Sequence, residues 1–443
     1  TTTRALALLL ASLNLTSARE PRIQPGRNGA KVLLLGGTGR IGTVVAMHLL
    51  SRSPDIQVVL AGRNEGKGRA AVEEIRSEIP ANIPKDRVQF QRLDWRDSKS
   101  LASALQNEVD AVVHTAGPYS NEKPEVLQTA IQQRVPVYVD VSDPMEFIEA
   151  CKDMDNEAKK MGTLAMPMGG AFPGLSNVLA MECAHRLGGH IKDIDFSFFT
   201  AGLGGSGEIN LYITNEGFGE PIHRYEDGKP VKSMTSGGEP RTADFFISSA
   251  DPSKQLVGTR QIWNWPFPEP KTVGDELEIV GKSTVGMGTA PDIWNYILTF
   301  MTTIVPKSWW KSKIFSEGLA KFSKPLVEFT DKFVGETHAM RIDVRNTQGK
   351  QLSAVQAHES FRRVVGQSCA EFTLALLGDC NDAEESLPKA GVYTPEKLFK
   401  SPRMRARLLE RLLTLPGTLN YGFTQSVEGR PSGVSTTSSH TSI

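Results

Sequence analysis

The sequence predicts an α/β protein: a doubly wound parallel sheet with crossover helices, joined to a second, α+β domain. Three observations predict it. A glycine-rich turn separates an apolar run from an apolar, helix-compatible segment at Lys31 to Leu50. Strand-like and helix-like stretches alternate from there to Met168, the rhythm of a parallel sheet. From Ile191 onward the segments become alternating runs between long polar loops, which suit a mixed or antiparallel sheet. At 443 residues the chain exceeds one typical domain and can bury a sizeable core.

The first strand, Val32 to Leu35, breaks into Gly36-Gly37-Thr38-Gly39-Arg40-Ile41-Gly42, and a helix follows at once. A G-x-G-x-x-G pattern in that strand, turn and helix frame predicts dinucleotide binding. Gly37 is expected to permit the tight turn, Gly39 to let the backbone approach a pyrophosphate, and Gly42 to let the helix pack near the strand. The helix start offers unpaired N–H groups to an anion.

The second strand, 56 to 63, ends in Ala61-Gly62-Arg63-Asn64, about 20 residues past the turn, where NAD-preferring folds place an acid on the ribose 2′-hydroxyl. Arg63 stands there instead, and a guanidinium suits a 2′-phosphate by charge and fork geometry, so NADP(H) is the expected cofactor. The third strand, 88 to 94, closes on Asp94, placed either to accept from the adenine amino group or to cap the next helix. After the fourth strand, 110 to 117, the turn through Ala116, Gly117 and Pro118 is expected to run beside the nicotinamide ribose. A helix from Pro124 to Gln133, a fifth strand to Asp140, a helix from Pro144 to Met161 and a sixth strand from Thr163 to Met168 complete the sheet.

The Gly169–Asn177 loop marks the crossing into the second domain. There IDFSFFTAG, INLYITNEG, MRIDVRNTQ and SAVQAHES read as strands, and the GLGGSG stretch at 202–207 reads as a flexible loop because no strand and helix frame encloses it. DIWNYILTFMTTIVPKSWW, residues 292–310, reads as a core or inter-subunit helix, with peripheral membrane contact through Trp309, Trp310 and neighbouring lysines as the sharper alternative. It is short for a stable span. GQSCAEFTLALL, residues 366–377, is expected to return to the first sheet.

Equal numbers of Lys+Arg and Asp+Glu, 50 of each, leave no overall field for nucleic acid. Four cysteines without C-x-x-C spacing, and histidines without H-x-x-H or H-E-x-x-H spacing, argue against a metal site and a disulfide framework. Residues 1–29 hold an apolar core, Ala5 to Leu13, after Arg4 and no acid before Glu20. They read as a targeting remnant, secretory-like or for a plastid or mitochondrion, or as a disordered segment. An organelle is therefore the expected location, with the cytoplasm as runner-up. The Ser/Thr-rich end, taken from 416 to 443, is expected to be disordered.

These residues resemble the saccharopine dehydrogenase-like family of NADP-dependent reductases. The anchors are the glycine turn, Ala61-Gly62-Arg63, Gly117-Pro118-Tyr119, Tyr138-Val139-Asp140, the G-x-x-P-G loop at Gly170 to Gly174, and Gly391-Val392-Tyr393-Thr394-Pro395-Glu396. The resemblance implies a Rossmann-type doubly wound parallel sheet with an inserted α+β second domain. The implied divisions are a nucleotide domain at 30–172, an insertion at 173–360 for substrate or dimerisation, and returning helices at 361–415. Saccharopine-forming members carry Asp before the proline of the G-x-x-P-G loop, where this chain has Phe172, so it is more similar to the uncharacterised oxidoreductase-like branch.

Hydride chemistry needs orientation and a proton donor. Tyr119 and Lys123 match the Y-x-x-x-K pair of short-chain dehydrogenases but arrive one strand early, which leaves Tyr119 either as donor or as a packing residue. Asp140, at a strand's carboxyl end, could orient substrate or form a turn. The expectation is an NADP(H)-dependent oxidoreductase acting at an imine or carbonyl centre. The alternatives are an NADP(H)-binding sensor or scaffold without turnover, and an atypical single-domain short-chain dehydrogenase.

Overall fold

The computed structural model describes residues 29–427 apart from 54, 107–108, 203–207, 234–236, 247–256 and 383. The expected targeting remnant as far as residue 28, most of the GLGGSG loop and the last sixteen residues, 428–443, therefore lie outside the described residues.

The first domain alternates β1 (Lys31–Leu35), α1 (Arg40–Arg52), β2 (Gln57–Gly62), α2 (Glu65–Glu78), β3 (Val88–Arg92), α3 (Ser98–Leu105), β4 (Ala111–His114), α4 (Glu125–Gln132) and β5 (Val137–Asp140). It continues through α5 (Met145–Lys152), α6 (Asp155–Met161) and β6 (Leu164–Met166). The stretch expected as one helix from Pro144 to Met161 is thus two. These strands pair in parallel in the order β6-β5-β4-β1-β2-β3, so the connections reverse direction between β1 and β4. In β1, Val32 and Leu34 enter one core while Leu33 and Leu35 enter another on the opposite face. Burial on both faces is why this strand reads as an unbroken apolar run rather than an alternation.

After α7 (Leu175–Leu187) come β7 (Ile191–Ala201), α8 (Glu208–Gly217), β8 (Ile222–Glu226), β9 (Lys229–Ser233), β10 (Gly237–Asp244), β11 (Thr259–Asn264), α9 (Glu269–Leu277) and β12 (Ser283–Ala290). Then follow α10 (Ile293–Ile304), α11 (Lys307–Trp310), α12 (Lys313–Val334), β13 (Thr337–Asn346) and β14 (Lys350–His358). The chain returns through α13 (Phe361–Leu374), β15 (Gly391–Val392), α14 (Pro395–Leu398), α15 (Pro402–Leu412) and β16 (Thr418–Val427). The second sheet is mixed, ordered β10-β11-β12-β7-β13-β14-β16, with β12 and β7 parallel and the other neighbours on this path antiparallel.

Three expectations change. INLYITNEG is a helix, not a strand: its alternating start suggests period two, but Tyr212 donates to Glu216 one helical turn on, and Asn215 Nδ2 donates to Ser316 O (3.1 Å) on α12. Residues 418–427 are a strand rather than part of a disordered tail, because they cover the outer edge of β14 from Lys350 to His358. The 292–310 stretch is not one core helix: Pro306 separates α10 from α11, Asn295 is the single buried residue of α10, and Trp310, expected at a membrane surface, is instead fully buried against Phe218 and Phe315.

One hydrophobic core runs through both domains, from β1 through Phe172, Phe196 and Phe198 to α13 and α15. Helix α13 lies along α1, where a Cβ on Gly366 would stand 2.8 Å from Val44. Glu371 of α13 accepts from His48 Nε2 (2.7 Å) and Arg52 Nε (2.8 Å) on α1, fixing the helix that begins at the glycine turn. The last strand of the first sheet, β15, adds beside β6.

Candidate functional site

The glycine turn is a cradle closed by backbone. Gly36 adopts a left-handed φ of +76°, so the tight turn falls on Gly36 rather than on Gly37 as expected. A Cβ on Gly37 would meet Leu34 O and Leu60 Cδ2, both at 2.9 Å, so this position serves close packing against β2. A Cβ on Gly42 would lie 2.3 Å from Gly36 O, which leaves only glycine where α1 crosses the turn. Gly39 is exposed, and a Cβ there would meet nothing nearer than Gly36 O at 3.1 Å, so its backbone faces open space. It forms the N-cap of α1 with no side-chain cap and no acid in the first turn. Within the helix, the Ile41 and Gly42 amides have no carbonyl four residues back, and the dipole favours an anion there. Thr38 is half-buried, and Arg40 and Arg63 are exposed at the same end of the sheet.

Neighbouring strand ends are drawn against this turn. Gly36 N donates to Ala61 O (3.2 Å), and the Thr38 hydroxyl oxygen would lie 3.3 Å from a Cβ on Gly62, so Arg63 follows directly beside the cradle. Arg63 forms no ion pair among the described residues. Asn64 is the N-cap of α2, its Oδ1 accepting from Lys67 N (2.9 Å). Asp94 is exposed and accepts from Arg96 N (3.2 Å); the helix after it is capped by Asp97, which accepts from Lys99 N (3.1 Å), so the capping role expected of Asp94 falls to Asp97. On the other side of β1, a Cβ on Gly36 would stand 2.8 Å from Ala116 N, which puts the Ala116-Gly117-Pro118 turn against the glycine turn where the sheet reverses direction. Brought together at the carboxyl ends of β1, β2, β3 and β4 are thus all the residues expected to face a dinucleotide.

The two weak catalytic expectations change character. Tyr119 is buried, and its hydroxyl donates to His114 O (2.6 Å) while its ring packs on His114 and Phe147. Burial raises its pKa well above the usual phenol, and Lys123 is exposed, so no Tyr–Lys acid–base pair forms. Asp140 is fully buried and accepts from Tyr138 Oη (2.8 Å), Ser142 N (2.9 Å), Ser142 Oγ (2.6 Å) and Met168 N (3.2 Å). Burial raises its pKa despite those bonds, and its two oxygens are spent joining β5 to the loop after β6. It is a buttress, not a substrate ligand.

Phe172, at the position of interest in the G-x-x-P-G loop, is the hub of an aromatic joint between the domains. Its ring stacks on Phe198 (4.4 Å) and on His338 (5.0 Å), with Phe267 edge-on at 5.2 Å. Burial drives the His338 pKa to about 3, so that imidazole is neutral.

Below this joint lies a buried polar network that sequence reasoning missed. Ser176 Oγ donates to Glu269 Oε1 (2.9 Å), and Asn177 Nδ2 donates to Glu396 Oε2 (2.9 Å) and Thr272 Oγ1 (3.2 Å). Burial raises the Glu269 pKa to about 8, with the Asp143 and Glu396 carboxylates adding to the rise. Glu396 stands in one of the sequence anchors and Asn177 closes the Gly169–Asn177 loop read as the domain crossing, but neither had been given a role.

At the carboxyl end of β4 and β5 an open cleft lies between the domains. Tyr119, Glu122 and Phe147 line its nucleotide-domain wall, and Glu220, His223 and Pro266 the other. His223 is half-buried; desolvation lowers its pKa, and its Nε2 has no hydrogen-bonding partner among the described residues.

Fold and cradle together define a Rossmann-type nucleotide-binding domain joined to a mixed-sheet domain. Residues 32–166, the nucleotide domain, match the family model of the saccharopine dehydrogenase NADP binding domain. The residues present fit that cofactor: a cap-less helix start without acids, a backbone that excludes any Cβ at Gly42, and Arg63 at the end of β2. The chain is similar to a polyprenol dehydrogenase of Danio rerio, 33% identical over 99 residues, which are 22% of this chain and 28% of that protein. The match therefore spans under a third of the length of that relative. Among solved structures it is similar to a short-chain type dehydrogenase/reductase from Mycobacterium marinum (14% identity, TM-score 0.25, covering 35% of this chain and 76% of that one). It is also similar to a short-chain oxidoreductase from Burkholderia thailandensis (19% identity, TM-score 0.25, covering 31% and 67%).

Proposed function

We propose that this protein is an NADP(H)-dependent oxidoreductase that acts on a carbonyl or imine carbon in the cleft between its two domains. The observation that carries the reading is placement: the glycine cradle and the cleft open at the same carboxyl edge of one parallel sheet, joined by the Ala116-Gly117-Pro118 turn. When bound, NADPH supplies the hydride. The chain does the rest. Backbone amides at the start of α1 hold the diphosphate and Arg63 pairs with the 2′-phosphate. The Tyr119 and Phe147 side chains line the nucleotide-domain wall of the cleft. His223 lines the cleft from the second domain; desolvation lowers its pKa and its partnerless Nε2 is buried, so a turn of the ring would bring that nitrogen to the reacting oxygen or nitrogen.

The two-domain architecture and the committed Tyr119 hydroxyl disfavour a single-domain short-chain dehydrogenase. The test is NADPH oxidation by the full chain against aldehydes, ketones and keto acids with amines. Turnover in one class, lowered by His223→Ala, supports the reading; tight NADPH binding without turnover across the panel supports a sensor instead.

A further inference from the structure

We propose that α10, α11 and α12 form a docking surface for an anionic phospholipid bilayer. The three helices make an antiparallel hairpin: α11 joins α10 to α12 at one end, and Trp294 Nε1 of α10 donates to Thr330 Oγ1 of α12 (3.1 Å) near the other. On α10, Ile293, Tyr296, Ile297, Phe300 and Ile304 recur at helical spacing, and each is at least 40% exposed. On α12 the same holds for Ile314, Phe322, Leu326, Phe329 and Phe333, all more than half exposed, with the Phe329 and Phe333 rings in contact at 5.2 Å. Tyr296 reaches back to β11, its hydroxyl donating to Gln261 Oε1 (3.0 Å) and its ring edge-on to Trp263; the other apolar groups of the two stripes are left to solvent. A soluble chain rarely leaves large aliphatic and aromatic groups so clustered without something to cover them.

Charge selects the occupant. The chain as a whole is neutral, but Lys307 to Val334 carries six lysines against Glu317, Glu328 and Asp331. Two of those acids already pair within the helix, Glu317 with Lys313 (3.8 Å) and Glu328 with Lys324 (3.3 Å). The exposed Trp309 stands at the junction, among Lys307, Lys311 and Lys313. Apolar stripes rimmed by lysine and tryptophan match the headgroup boundary of a bilayer, where aliphatic groups enter, indole rings sit at the interface and ammonium groups meet phosphate. A second copy of the same face would set one cationic rim against another, since a twofold contact brings like patches together. Among the described residues no helix is long and apolar enough to cross a membrane, so the hairpin would lie in the surface plane. The surface adjoins the cleft directly: Lys311 Nζ is 3.6 Å from Glu220 Oε1, which lines it.

Flotation of the full chain tests this, using vesicles of phosphatidylcholine alone and with phosphatidylserine as about a third of the lipid. The chain is expected to float with the anionic vesicles. Phe300→Glu with Phe329→Glu should lower that partitioning at least about tenfold while leaving the thermal melt and sedimentation unchanged. Lys307→Gln with Lys321→Gln should lower it about fivefold per lysine. Wild-type chain that stays at the bottom of both gradients overturns the proposal, as does binding untouched by the phenylalanine pair. So does a dimer that the phenylalanine pair makes monomeric. Equal flotation with both vesicle types overturns the choice of an anionic surface. NADPH binding and turnover are not read in this experiment, so its failure and that of the catalytic reading are separate.

Discussion

Replacing Glu269 with Gln should make the protein less sensitive to alkaline pH, and the size of the effect follows from the site. Glu269 is fully buried, its Oε1 accepts from Ser176, its Oε2 has no partner among the described residues, and Asp143 and Glu396 add negative charge nearby. Its pKa therefore rises from 4.5 to about 8. The folded state holds a proton that the unfolded chain releases near 4.5, so the native state binds more protons between those values and stability falls as pH rises through the window. At about 1.4 kcal/mol per unit, the full displacement corresponds to at most about 5 kcal/mol, and relaxation around the charged form lowers this. Gln is neutral throughout and close to Glu in shape. Denaturant unfolding of both proteins at several pH values from 6 to 9 is the assay. The Gln variant should gain on wild type by about 1 kcal/mol per unit up to pH 8 and then level off. A difference flat across that range would refute a protonated Glu269 and the burial argument behind it.

Two further predictions concern the nucleotide domain. Gly42→Ala drives a Cβ into Gly36 O and must shift the turn, so NADPH affinity, read by fluorescence titration, should fall at least about tenfold with a stability loss of about 1–3 kcal/mol; an unchanged dissociation constant would show that the turn does not hold the nucleotide. Tyr119→Phe removes the bond to His114 O, so a melt should show a loss of about 1 kcal/mol while kcat with any substrate found stays the same; a fall of two orders of magnitude in kcat would restore Tyr119 as the acid.

Much of the nucleotide domain was legible because its signals are local. The turn at Gly36 to Gly42, the all-apolar β1 and the Arg at the end of β2 each carry their meaning within a few residues. What escaped depends on contacts far apart in the chain. Asn177 and Glu396 are separated by 219 positions, and nothing near either shows that one amide bridges both domains. Tyr119 looked catalytic from its Y-x-x-x-K spacing to Lys123, and Asp140 because an acid at a strand's carboxyl end can face a site or form a turn; only the bonds to His114 and to Ser142 and Met168 decide. The α8 segment misread as strand shows the same limit: alternation over five residues was outweighed by packing against α12. Phe172 was legible as a departure from the saccharopine-forming pattern, but its stacking on Phe198 and His338, which makes it a joint, was not.

The central claim is that the amides after β1 hold a dinucleotide whose 2′-phosphate is paired by Arg63, and paired titrations of NADPH and NADH into wild type and Arg63→Ala test it most directly. Loss of one charge-assisted bidentate contact should weaken NADPH by about 10- to 100-fold and leave NADH within about twofold. Wild-type protein that binds neither nucleotide, or an alanine variant with undiminished preference for NADPH, would contradict it.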